Sequence, residues 1–192
     1  MGNDFAVFFA SIMVSGGQEI MDLAIQGLSE EDANPRFIEE LQDRVDIVQH
    51  KLKFIERKPS VAFINTLDFT EHAGNSLLRL ISAAGGMMVN TNLYSGSAWE
   101  SLIETNPEII VVAPQNNTIE DTMKQMTSLL DQKGFSELAA VKNNRVYIAD
   151  GNQYFYQPRA RIVDSLEILA EIINPKQFIF GYEGQGWVRF DM

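Results

Sequence analysis

The residues best suited to binding chemistry in this sequence are aromatic and cationic, and they lie close together near the C-terminus. Tyr154, Phe155 and Tyr156 follow one another, and Arg159 and Arg161 come next, at the start of a predicted helix. Aromatic rings offer large, flat apolar surfaces. The helix macrodipole disfavours a cation at a helix start, so an arginine there needs a partner. That partner is either a nearby carboxylate or an anionic or amide-bearing ligand.

Two arrangements of this cluster are consistent with the sequence. In the first, the three aromatic side chains form one wall of a binding edge, and Arg161 points toward that wall. In the second, Phe155 packs beneath the loop and Arg161 forms a salt bridge with Asp164 or Glu167. The two arrangements differ in the solvent exposure of the aromatic rings and in the partner of the guanidinium group.

The side-chain sets that most enzymes use are not found in the sequence. The two histidines, His50 and His72, fall in different predicted segments and form no HExxH spacing. No serine stands in a GxSxG elbow, and no Walker loop is present. The absence of cysteine excludes disulfides, thiolate zinc sites and a cysteine nucleophile. We therefore predict a protein that is not an enzyme and holds no metal site.

The composition narrows the classes of partner. Hydrophobic residues make up 45% of the 192 residues, which is enough for a sizeable core. The formal net charge is -11 and the pI is about 4.6. An acidic protein is repelled by phosphate backbones, so we expect no nucleic-acid partner.

The N-terminal stretch Phe5–Val14 is apolar, but it contains only ten residues. A membrane span needs roughly 20. A signal peptide carries positive charge before its apolar run, whereas Asp4 is the one charged side chain that precedes this run. We expect a buried strand or helix here, no membrane insertion, and a cytoplasmic location.

A long amphipathic helix is predicted from Arg36 to Arg57, because apolar residues recur there at spacings of three and four. Beyond it, strands and helices alternate, which is typical of a parallel sheet covered by helices. The predicted strands are Ser60–Thr66, Met87–Asn90, Glu108–Pro114 and Arg145–Asp150, and the predicted helices are Gln18–Leu28, Ala73–Ala84, Ser97–Glu104, Ile119–Leu130 and Arg159–Ile173. The sequence thus predicts an α/β fold: a single Rossmann-like lobe with a mostly parallel sheet and helices on both faces, preceded by a long backbone helix.

Ligands of such sheets bind beyond the carboxyl ends of the strands. Four loops lie at that edge: Asn65–Phe69, Asn90–Tyr94, Pro114–Asn117 and Asp150–Tyr156. Asp68 in the first loop is therefore a candidate binding residue, together with the aromatic run in the fourth.

Several segments carry a family resemblance. They are "SLLRLISAAGG", "SAWESLIETNPEIIVVAP", "GFSELAAVKNNRVYIADG", "DGNQYFYQPRARIVDSLEILAEIINPKQF" and "GYEGQGWVRF". Through them the chain resembles the class III substrate-binding proteins of ABC importers for cobalamin and iron-siderophores, in which a rigid helix joins two lobes. It is most similar to the subgroup without export signals that is described as cobalamin-binding.

The resemblance implies non-catalytic capture of a large corrin-like ligand such as cobalamin, or of a related metal chelate, with no certain resident cofactor. By this mapping Tyr154, Phe155, Tyr156 and Arg161 line the ligand side of the C-terminal lobe. Trp99 corresponds to the family tryptophan ahead of an acidic helix, where it either contacts ligand or packs in the core.

The sequence also departs from the family pattern. Residues 1–34 match only a remnant of the N-terminal lobe, residues 35–57 match the backbone helix, and residues 58–192 match the C-terminal lobe. Three of the four edge loops lack the expected aromatic or glycine residues. An alternative function is therefore a degenerate lobe that serves as an interaction module, with a homodimer as its simplest form, and another alternative is a fragment of a longer product.

Overall fold

The structure is a computed structural model that describes residues 16–30, 33–67, 75–89, 98–156 and 161–191. Several sequence-based predictions fall outside these residues. They concern the apolar stretch Phe5–Val14, the candidate binding residue Asp68, His72 and Arg159.

Five strands in the described part of the chain form one sheet. In chain order they are β1 (Ser60–Ile64), β2 (Met87–Met88), β3 (Ile109–Val112), β4 (Val146–Ala149) and β5 (Trp187–Arg189). Their order across the sheet is β2-β1-β3-β4-β5, and all neighbours are parallel except β4 and β5. The predicted α/β fold with a mostly parallel sheet is therefore confirmed.

The central strands are apolar along their whole length because both faces of the sheet are covered. Every residue of β3 and of β4 is buried. Near-continuous apolar runs of this kind are typical of parallel strands between two helix layers.

The helices lie in two layers. They are α1 (described from 16 to 25), α2 (Pro35–Leu52), α3 (Asn75–Ala83), α4 (Ala98–Thr105), α5 (Ile119–Gln125), α6 (Thr127–Leu130), α7 (Ala139–Lys142) and α8 (Ile162–Ile173). The first core cluster joins α1, α2, α3 and α8 to one sheet face, and the second joins α4 to α7 to the other. No helix in the described part of the chain is long and apolar enough to cross a membrane.

The helix α2 begins where predicted but ends five residues earlier than predicted. The side chain of Asn34 accepts a hydrogen bond of 2.9 Å from the backbone N–H of Phe37, which caps the first turn. The C-terminal end tightens at Lys53, which bonds back to His50. The seven residues that follow α2 carry the chain to β1, and Pro59 keeps Lys58 out of helical geometry.

Two other differences have local causes. The predicted helix Ile119–Leu130 is divided at Met126. There the backbone N–H of Met126 donates to the carbonyl of Met123, three residues back, instead of to the carbonyl four residues back as in a regular α-helix. The strand β5 was not predicted, because its three residues are too few to show an alternation of apolar and polar side chains. Its position depends on pairing with β4 and on contacts to α8 described below.

Candidate binding site

The aromatic run lies on a single wide helical turn, Gly151–Phe155, which begins directly at the carboxyl end of β4. The side chain of Asp150 caps this turn, because its Oδ1 accepts a 2.7 Å hydrogen bond from the backbone N–H of Gln153. Asp150 itself is held by a backbone bond of 2.9 Å to the carbonyl of Gly186. The turn therefore has a fixed start at the edge of the sheet.

Glycine is required at position 151 because the backbone passes very close to the end of β3. A Cβ atom added there would lie 2.1 Å from the carbonyl oxygen of Pro114. The neighbouring residue, Asn152, donates a backbone hydrogen bond of 3.0 Å to Asn117. The edge loop that contains Gly151 therefore packs directly against the edge loop Pro114–Asn117.

The far end of the turn is attached to α8. The buried hydroxyl of Ser165 donates a hydrogen bond of 2.6 Å to the backbone carbonyl of Tyr154. With the cap at Asp150, this bond holds the turn at both ends. The aromatic side chains are therefore displayed by a rigid element rather than by an open loop.

The three aromatic side chains are all half-buried. Phe155 packs against Phe63 of β1, with ring centroids 5.2 Å apart. Tyr154 meets Tyr182 edge to face, with centroids 5.8 Å apart and planes at 84°. The packing of Phe155 follows the second of the two arrangements considered from sequence, whereas the partial exposure of the rings is a feature of the first.

Arg161 lies at the start of α8 with an exposed side chain. Its guanidinium carbon is 5.9 Å from the centroid of the Tyr154 ring, within reach of a cation–π contact. The two carboxylates considered as its partners, Asp164 and Glu167, both bind Arg44 of α2 instead. Arg161 therefore lies over the aromatic turn, with its charged end in solvent.

A cavity of about 200 Å³ opens beside the aromatic turn. It is lined by Leu23 of α1, by Ser76, Leu77 and Leu80 of α3, by the aromatic residues 154–156, and by Ile162 and Ser165 of α8. Apolar walls with a few polar groups are usual in small-molecule sites. The cavity lies on the sheet edge where the topology favours ligand binding.

A cluster of charged groups lies between α2 and α8, next to Tyr182. Arg44 binds Glu167 through two hydrogen bonds of 2.5 and 3.1 Å, and it binds Asp164 at 2.6 Å. The Tyr182 hydroxyl accepts from Arg44 at 3.2 Å and donates to Glu167 at 3.0 Å. Because Tyr182 also contacts Tyr154, these bonds connect the aromatic turn to the long helix.

Burial and the neighbouring carboxylates act in opposite directions on the pKa of Arg44, whereas both raise the pKa of Tyr182 against a smaller lowering effect of Arg44. Burial would lower the pKa of Arg44, but its hydrogen bonds and ion pairs with Glu167 and Asp164 raise that pKa above its ordinary value. Burial raises the pKa of Tyr182, and the nearby charges of Asp164 and Glu167 raise it further. Tyr182 is therefore neutral and able to donate at physiological pH.

Burial also raises the pKa of Tyr154. The negative charges of Asp164 and Asp150 act in the same direction, whereas the positive charge of Arg161 lowers it. Tyr154 is thus a neutral phenol at physiological pH, suited to stacking and to hydrogen-bond donation.

Trp99 lies in the second core cluster, on the sheet face away from the aromatic turn. Its ring packs near Phe135, with centroids 6.3 Å apart, and its indole N–H donates to the carbonyl of Lys133 at 3.1 Å. The structure therefore brings Tyr154, Phe155, Tyr156 and Arg161 together and places Trp99 elsewhere.

Four residues that matter for this site were not singled out from the sequence: Leu23, Leu77, Ser165 and Tyr182. A usable signal existed for a partner such as Tyr182, because Asp164, Glu167 and Glu171 recur at spacings of three and four on the most apolar helix. Such a polar stripe on a buried helix requires partners. No comparable signal marked the leucines, because core and cavity leucines look alike in sequence.

The arrangement supports binding rather than bond-breaking chemistry. Its groups are aromatic rings, an exposed guanidinium and a serine hydroxyl that is already bonded to the backbone. Within the described residues, no group of three or more His, Asp and Glu side chains could hold a metal ion.

Comparison with solved structures shows the fold of a lobe of periplasmic binding proteins. The TroA-like periplasmic binding protein FepB from Veillonella parvula has a TM-score of 0.60 and 21% identity, covering 81% of this chain and 57% of its own. An ABC transporter substrate-binding protein from Listeria monocytogenes has a TM-score of 0.59 and 22% identity, covering 84% and 64%. IsdE from S. aureus, solved in complex with heme, has a TM-score of 0.58 and 17% identity, covering 82% and 65%.

This chain spans less than two thirds of the length of each of these three proteins. A comparison with proteins of curated function finds no match. The similarity to the cobalamin-binding subgroup therefore stays a prediction.

The sequence itself also matches a family model over more than half of its length. The model, which describes periplasmic binding proteins, matches residues 8–152. The similarity of the fold to that of the solved proteins agrees with this match. The chain therefore belongs to the periplasmic binding protein family.

Proposed function

We propose that this protein binds a large, flat metal chelate of the corrin or tetrapyrrole type, cobalamin being the first candidate, without catalysing its conversion. The observation that carries this proposal is the rigid aromatic turn. Its start is held by Asp150 and its end by Ser165, and it presents half-buried Tyr154 with Arg161 above the ring. A preorganised aromatic surface loses little entropy when a flat ligand binds.

The size of the cavity defines how such a ligand would be held. At about 200 Å³ it is smaller than the roughly 300–1,000 Å³ of ordinary ligand pockets. The described residues would therefore contact an edge or one face of a macrocycle rather than enclose it. We expect micromolar affinity for this lobe alone.

Arg161 would supply polar recognition. Its guanidinium is exposed, and the two carboxylates nearest in sequence are engaged by Arg44. An acidic or amide group on the rim of the ligand could bond to it while the macrocycle lies against Tyr154. The heme complex of IsdE is an example of a chelate held by a similar fold.

The test is a calorimetric titration of the purified chain with cobalamin and, separately, with hemin, followed also by difference absorbance. We expect saturable binding of at least one of them. Tyr154→Ala should weaken this binding at least tenfold, and Arg161→Gln should weaken it about fivefold. Arg36→Gln, which removes an exposed cation from the start of α2, serves as the matched control and should leave it unchanged.

Equal affinities in all four proteins would show that the ligand binds elsewhere and would reject the proposed site. The absence of saturable binding for both chelates would reject the ligand class. Light scattering on the same samples then evaluates the alternative, an interaction module without a small-molecule ligand. That alternative is favoured by large apolar side chains that remain exposed, among them Phe54 and Ile179.

A further inference from the structure

The outer face of α2 carries an apolar stripe that no described element covers. Ile47 is 47% exposed and Phe54, just beyond the helix end, is 73% exposed. They are seven residues apart, so they lie on the same side two turns from each other. His50 lies between them, with its ring 5.6 Å from that of Phe54 and at 69° to it.

The shape of this face suits a second helix. Asp46 and His50 are one turn apart and form a ridge that lines two depressions, of about 420 and 480 Å³. One depression extends toward α1 and includes Gly17, whereas the other extends along α2 and includes Ile47. Helices pack by placing the ridges of one into the grooves of the other.

The charges on this face are divided along the helix. From residue 39 to residue 46 the exposed charged side chains are acidic, namely Glu39, Glu40, Asp43 and Asp46. From residue 51 to residue 53 they are basic, namely Lys51 and Lys53. Arg44 does not alter this division, because it points to the carboxylates of α8. An antiparallel copy of the same helix would therefore bring unlike charges together, and a parallel copy would bring like charges together.

We propose that α2 is a self-association surface, on which a second copy of this chain docks in antiparallel orientation about a twofold axis between Val48 and Gln49. In this register Ile47 faces His50 of the second copy, and Asp46 lies on the same edge of the contact as Lys53 of the second copy. One patch serves both protomers, as an isologous interface requires. The contact lies on a different element from the aromatic turn, so the proposal is independent of the proposed ligand.

The expected affinity follows from the size of the contact. A standard interface buries about 800 Å² on each partner. A single helix pair of about 27 Å in length covers less than that. We therefore expect a dimer that forms at micromolar concentration and dissociates on dilution.

Cross-linking tests the position of the axis directly, because the natural chain contains no cysteine. His50→Cys places one thiol close to its symmetry mate. Ser128→Cys is the matched control, with an exposed thiol in α6, which packs on the other sheet face. A short bismaleimide should link the first variant into dimers at 50 µM and leave the second monomeric. Equal linking of both variants, or of neither, would overturn the proposal.

Charge exchange tests the orientation. Asp46→Lys and Lys53→Glu should each weaken dimerisation about tenfold in sedimentation experiments, because each places like charges next to each other on the same edge of the contact. The double variant should recover most of the wild-type affinity. Lys51 is left unchanged, because its amine contacts Gln177 and the Phe178 ring of the same chain. Unfolding curves accompany each variant. A wild-type protein that is monomeric at 100 µM would overturn the proposal. A dimerisation affinity that neither single substitution changes would overturn it as well.

Discussion

Trp187 donates a hydrogen bond of 2.7 Å from its indole N–H to a carboxylate oxygen of Glu171, in the interior of the protein. The same carboxylate accepts backbone N–H groups from three consecutive residues: Phe180, Gly181 at 2.7 Å and Tyr182 at 3.3 Å. Glu171 is only 3% exposed. One side chain of α8 therefore holds the C-terminal segment, positions β5 at the sheet edge, and orients Tyr182 toward the aromatic turn.

Replacement of Glu171 should strongly destabilise the fold. Glu171→Gln puts an amide group among four donors, so at least one donor loses its acceptor in a buried site. Each such loss costs about 1–3 kcal/mol. We expect the free energy of unfolding to fall by about 3 kcal/mol in urea titrations. Glu104→Gln, an exposed change in α4, should alter it by less than about 0.5 kcal/mol. Similar curves for the two variants would show that the carboxylate is not essential.

The ion cluster between α2 and α8 should show strong coupling. Arg44→Met leaves Asp164 and Glu167 close to each other without a cation, so we expect a loss of about 2 kcal/mol, reduced by the 27% exposure of Arg44. Adding Asp164→Asn and Glu167→Gln should recover part of this loss, because the repulsion disappears. The comparison is made by urea unfolding, and additive effects of the three substitutions would contradict the coupling.

Tyr182 should make the protein sensitive to alkaline pH. Its pKa is raised in the folded state, so between the unfolded pKa near 10 and the higher folded pKa the native state holds one more proton than the unfolded state. Its contribution to stability is therefore complete below pH 10 and falls above it, at about 1.4 kcal/mol for each pH unit. Thermal unfolding between pH 8 and 11.5 measures this slope.

Tyr182→Phe should be less stable than the wild type at pH 8, because it lacks the hydroxyl bonds to Glu167 and Arg44. Its stability should also fall less steeply above pH 10. Parallel slopes for the two proteins would assign the alkaline loss to other groups.

Gly151→Ala should displace the aromatic turn. The added methyl group would overlap the carbonyl of Pro114, which is backbone and has little freedom to move. We expect a loss of about 2–3 kcal/mol in stability, in the range of overpacked sites, and a weaker response to any ligand of the turn. Gly16→Ala is the matched control, because its added Cβ would meet only Ala83, at 3.9 Å, and alanine favours helix. Equal stability of the two variants would contradict the close approach.

The candidate site was predictable in part. The sequence placed Tyr154, Phe155 and Tyr156 at the carboxyl end of a strand, and the structure has them there. The partner of Arg161 was not predictable, because Arg44 is more than 100 residues away from Asp164 and Glu167 and competes for both. The assignment of Trp99 was left between ligand and core, and only the packing against Phe135 shows where the ring lies.

Local physical chemistry was enough for the sequence alone to determine the class of the fold. Apolar runs at 109–112 and 146–149 require burial on two sides, and the helical spacing on α2 requires one buried face. These requirements are set by neighbours in the chain, so they can be read from it. Tertiary structure decided which distant groups meet: Glu171 with the N–H groups of 180–182, and Ser165 with Tyr154. Those contacts depend on how whole elements pack, since a buried polar group forms a hydrogen bond with whichever suitable group the fold brings within reach.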